Sequence, residues 1–60
     1  MNAEEKWRGS SYSVREDMLM SVGVLRSAAR FMVTRTWWSL PTIIQEKLKT
    51  YEEGKIEDAG

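Results

Sequence analysis

Between Ser13 and Trp38 apolar and small residues recur every three or four positions, with few charges among them. Turned by about 100° per residue, that spacing predicts an amphipathic helix. Met18, Val22, Leu25, Ala29, Met32 and Val33 fall on one side, and Met20, Val24, Ala28 and Phe31 fall beside them. The remaining strip holds Arg26, Arg30, Gly23, Ser27 and Thr34, with Leu19 stranded among them. The apolar arc covers roughly two-thirds of the girth, wider than one neighbouring helix can cover. Ser13-Val14-Arg15-Glu16 reads as a capping box, with Ser13 accepting from the amide of Glu16 and the Glu16 carboxylate reaching back. The helix is therefore expected over about 14–36. Gly23 is its one interior breaker, either tolerated or marking a close helix–helix contact.

The β-branched and aromatic residues of Thr34-Arg35-Thr36-Trp37-Trp38-Ser39 lower helix propensity. A turn at 37–39 follows, with Ser39 as the next N-cap and Pro41 in the first turn. A second helix is expected over about 40–53. Its stripe is Leu40, Ile43, Ile44, Leu48 and Tyr51, and Gly54 is a natural C-terminal stop. Residues 1–12 read as an irregular leader whose Trp7 docks on the long helix, and 55–60 as a flexible acidic tail. The fold class is all-α: a two-helix antiparallel hairpin spanning 13–54. One hairpin buries little apolar surface, so two are expected to pair into a homodimeric four-helix bundle. Self-association is assigned to Met18, Val22, Leu25, Ala29 and Met32.

Composition narrows the function. The 60 residues contain no Cys and no His, and the formal net charge is zero. Disulfides, thiolate sites and the usual zinc ligand sets are thereby excluded. The three cations of residues 18–45, Arg26, Arg30 and Arg35, sit on the apolar segment, while the acids lie toward the ends. The N-terminus is polar and of mixed charge, unlike a secretory or transit peptide. No Arg-free run in the apolar segment reaches the roughly 20 residues needed to cross a bilayer. A cytoplasmic location is expected.

Candidate chemistry is sparse. Glu16 and Asp17 are adjacent, so on a helix they point apart and make a poor acid–base pair. The serines lack a His to activate them, and no phosphate loop or calcium loop is present. No catalytic residue, cofactor or metal is expected, and the chain is read as no enzyme. Trp37-Trp38 is the most informative dipeptide. Adjacent aromatics cannot both enter one core, so one packs under the turn near Leu40 and Ile44 and the other stays exposed. An exposed Trp has an apolar body and a polar N–H, which suits a binding hot spot. Arg26 and Arg30, spaced i, i+4, present forked donors for an anion or an acidic partner. Trp37, Trp38, Phe31, Arg26, Arg30 and Arg35 are therefore the partner-binding candidates.

The run Ser39-Leu40-Pro41-Thr42-Ile43-Ile44 through Leu48 and Tyr51, then Glu53-Gly54-Lys55-Ile56, resembles the second helix of ribbon-helix-helix repressors. The resemblance covers under a third of the chain and implies a DNA-binding dimer. Three departures weigh against it. No alternating basic strand precedes the first helix, no Gly marks the interhelical turn, and the net charge is zero, where DNA binding needs a basic footprint. A membrane-surface role for the arginines and large apolar residues is a further alternative. The favoured expectation is a helical module that binds a larger protein partner and self-associates.

Overall fold

A computed structural model of the chain describes residues 2–59, with side chains described for 2–52. It is all-helical. Helices α1 (Ala3–Gly9), α2 (Tyr12–Ser21) and α3 (Arg26–Met32) are followed by a 3-10 turn (Trp37–Ser39) and α4 (Thr42–Ala59).

The expected leader is a helix. Asn2 caps α1 by accepting from the amide of Glu5 at 2.9 Å. Glu4 and Glu5 stand in its first turn and Lys6 and Arg8 in its last, the arrangement the helix dipole favours. Glu4 and Arg8 also pair across one turn. Ala3 and Trp7, four residues apart, form its buried face. A cap, complementary end charges and one large apolar side chain suffice to order this short segment against the rest.

The expected 14–36 helix is two helices. The first starts at Ser11, whose hydroxyl accepts from the amide of Val14 at 3.3 Å, so Ser13 lies inside α2 and not at its cap. Nothing between Ser11 and Ser13 breaks a helix, and the chain uses the earlier of two equivalent caps. The end of α2 is a Schellman motif. The amide of Gly23 donates to the carbonyl of Met20 at 3.0 Å, and that of Val24 to the carbonyl of Leu19 at 3.0 Å. Gly23 has φ +95°, the left-handed conformation that lacks a penalty only for glycine. A Cβ added there would meet nothing within 4 Å, so conformation and not crowding sets its identity. After the turn, Leu25 opens α3 without a side-chain cap.

Ser39 does not cap α4. Its hydroxyl shares a hydrogen bond with that of Thr36 at 2.9 Å across the 3-10 turn, and α4 begins two residues beyond Leu40. Gln45 performs the joining, its amide donating to the carbonyls of Trp37 at 3.1 Å and Leu40 at 3.0 Å. Gly54 lies within α4, not after it, since one interior Gly costs only about 1 kcal/mol. The backbone of 55–59, expected as a flexible tail, continues α4; the charges of that segment fall outside the described side chains.

Every element feeds one core. Trp7, Leu19 and Leu48 are its largest fully buried side chains, and Met18, Ala29, Val33, Trp37, Leu40 and Ile44 complete it with Ala3. The wide apolar arc finds its cover inside the chain: α3 folds back on α2, while α1 and α4 pack on each other and α4 also meets α2. The α1–α4 contact carries an ion pair, Lys6 Nζ to Glu52 Oε1 at 2.7 Å.

Three substitutions test these helix ends by chemical denaturation. Ser11→Ala should cost about 1 kcal/mol while Ser13→Ala stays within about 0.5 kcal/mol, because only the former removes a cap. Gly23→Ala should destabilise by roughly 1–2 kcal/mol, the cost of a left-handed Ala. A glycine inside a continuous helix would give the opposite sign, a gain of up to about 1 kcal/mol.

Candidate interaction surface

The segment linking α3 to the 3-10 turn is tied to the end of α1 by two side chains. The Trp7 indole N–H donates to the carbonyl of Arg35 at 2.9 Å. Arg15, on α2, donates from Nε to the carbonyl of Trp7 and from Nη1 to the carbonyl of Val33, both at 2.8 Å. These carbonyls lie at the ends of α1 and α3, where the helix dipole leaves partial negative charge; that of Trp7 also accepts from the amide of Ser10 at 3.3 Å. One guanidinium therefore satisfies two helix ends together. It also lies over the Trp7 ring, 5.0 Å from the centroid, and 5.7 Å from that of Tyr12.

Beside this clasp opens a cleft of about 290 Å³. Arg8, Arg15 and Arg35 bring three guanidinium groups to its lining, Trp37 and Trp38 bring two indoles, and Thr34 and Thr36 fill between them. Arg8 pairs with Glu4, and Arg15 is spent on neutral carbonyls. Arg35 is exposed and makes no ion pair among the described residues.

The Trp pair divides as its adjacency requires. Trp37 is 3% exposed and shares the core with Leu40 and Ile44, whereas Trp38 is 70% exposed. Among the described residues the Trp37 indole N–H is the one buried side-chain polar atom without a hydrogen-bond partner. Leaving such a donor unmet costs about 1–3 kcal/mol.

The other expected binding residues separate into two places. Arg35 joins Trp38 in the cleft, while Arg26, Arg30 and Phe31 lie exposed on the outer side of α3, Phe31 at 78%. Arg26 has an acidic neighbour, Glu16 at 3.6 Å; this exposed pair is worth little. Glu16 is thus turned to α3 and not back to an N-cap. The residues expected for self-association do not form one surface. Met18 and Ala29 are core residues, Val22 and Met32 are partly buried against the core, and Leu25 is 75% exposed. The buried members are covered within the chain, where α3 folds back on α2 and α4 also meets α2.

Sequence reasoning missed Arg8, Arg15 and Gln45. Their roles depend on carbonyls brought close by tertiary folding, which leaves no mark in periodicity. The strand that a ribbon-helix-helix protein needs has no counterpart, since no strand forms among the described residues. Nor is any described helix long and apolar enough to cross a membrane. Compared with known proteins, the chain matches no family model, no curated protein and no solved structure.

Proposed function

We propose that this chain is a non-enzymatic helical interaction module that works in the cytoplasm by docking on a larger protein. The observation that carries the reading is Trp38. It is a large apolar side chain 70% exposed on a 60-residue protein whose core is already filled by Trp7 and Trp37. Exposed Trp is unfavourable in water, and Trp and Arg are the residues most enriched where binding energy concentrates. Arg35 stands in the same cleft. Phe31, Arg26 and Arg30 on α3 supply a second contact zone. Uniform nucleic-acid binding draws less support, because the net charge is zero and the arginines are split between the cleft and α3.

Trp38→Ala should leave helicity and thermal midpoint within a few degrees of wild type, because Trp38 contributes no core area. Capture of protein partners from cell extract by the full chain, followed by titration of the partner found, should show a loss of about 2 kcal/mol or more in affinity. Micromolar binding to duplex DNA or anionic vesicles at physiological salt, with no protein partner, would overturn the proposal.

A second reading, self-association, is favoured by a separate observation. Between the end of α2 and α4 lies an open groove of about 520 Å³ lined by Val22, Ile43 and Tyr51, with Glu46 and Lys47 at its sides. Ile43 is 60% exposed there. A second copy seated in this groove would cover the half of the α4 stripe that faces away from the core. Ile43→Asp should convert a dimer to a folded monomer in sedimentation. A wild-type chain that sediments as a monomer at high micromolar concentration would overturn this reading.

A further inference from the structure

The cleft at the end of α1 carries positive charge that the described residues do not fully pair. Glu4 answers Arg8, but the Arg15 guanidinium bonds only to carbonyls, and Arg35 has no acidic partner among the described residues. A guanidinium facing an aromatic-walled recess presents a planar fork of donors, which matches the two oxygens of a carboxylate. The recess is about 290 Å³, at the lower edge of the range for small-molecule sites, and so admits a side chain with part of a neighbour. One wall is Trp38, an exposed apolar plane, and the other includes Trp37, whose indole N–H lacks an acceptor.

We infer that this cleft receives an Asp or Glu side chain of the protein partner, with an adjacent apolar residue of that partner laid on Trp38. Arg35, which has no acidic partner among the described residues, forms the ion pair; Arg15 holds the cleft's shape and adds charge behind it. The occupant is an acidic peptide segment on grounds of charge complementarity and size. A nucleic acid would need a basic track continuing beyond the cleft, and the other two arginines, Arg26 and Arg30, lie on α3 with Arg26 beside Glu16, while Lys6 is paired with Glu52. The inference rests on the reading of the chain as a protein-docking module and adds the chemistry of what it docks.

The test is a nitrogen-15 NMR titration of the full chain, following the three indole N–H and the arginine Nε signals. The probes are N-acetyl-Phe-Glu-amide and N-acetyl-Phe-Gln-amide, which differ only in the charge of one side chain. The Glu peptide should bind about tenfold more tightly than the Gln peptide, as charge-assisted hydrogen bonds predict. Its shifts should centre on Trp38 and Arg35. Arg35→Gln should abolish the preference while leaving helicity and thermal midpoint unchanged, because the Arg35 side chain makes no core contact. Equal affinity for the two peptides, a preference that survives Arg35→Gln, or shifts centred elsewhere would overturn the assignment. So would tighter binding of inorganic phosphate or of a thymidine 15-mer than of the Glu peptide. Loss of a protein partner by Trp38→Ala without any Glu preference would leave the docking module standing and remove only the acidic occupant. Failure of Trp38→Ala to affect a partner would remove the module itself.

Discussion

The fold depends on one problem of unsatisfied carbonyls and its solution by Arg15. A chain of this size built from short helices has many helix ends, and each exposes backbone oxygens that must find donors. Two of those ends, at Trp7 and at Val33, are brought to a single side chain on α2. Without it, the carbonyl of Val33 would lose its side-chain donor and that of Trp7 would keep only the amide of Ser10. A buried acceptor left without a donor costs about 1–3 kcal/mol, more than a hydrogen bond nets, so the guanidinium permits a packing that apolar contacts alone would not support. Trp7 completes the arrangement from the opposite direction by donating its own N–H to Arg35.

That geometry explains why a functional reading gathers where it does. The same residues that tie α1 to the 33–35 segment line the cleft, so the recess is a by-product of the tie. Trp38 sits at its edge because Trp37, one residue earlier, is taken by the core. A tight 3-10 turn separates adjacent side chains widely, and the second indole has no inward direction left.

How much of this was legible from the residues is uneven. Helical class followed from spacing, and the inward-outward split of Trp37 and Trp38 followed from adjacency alone. The break at Gly23 was written in the sequence as a lone glycine, yet periodicity continues on both sides of it. Pattern alone therefore extended one helix through a left-handed turn. The division of the expected self-association residues between core and surface has a related cause. Met18 and Ala29 do form an apolar stripe, but α3 folds back on α2 and α4 also meets α2, so the stripe is covered within the chain. A wheel cannot tell cover supplied by a second chain from cover supplied by a distant segment of the same one. Arg15 was read through Glu16 as part of a cap, and nothing local in a single arginine shows that it will bridge two carbonyls eighteen or fewer residues away.

The Lys6–Glu52 pair joins residues 46 apart, whereas most of the other ties connect near neighbours. The hydrogen bonds of Trp7 and Arg15 and the turn at Gly23 all join residues within 7–35, whereas Ile44 and Leu48 reach the same core from α4. α4 is thus the closing element of the core, and the Lys6–Glu52 pair fastens it to α1, the element farthest from it along the chain.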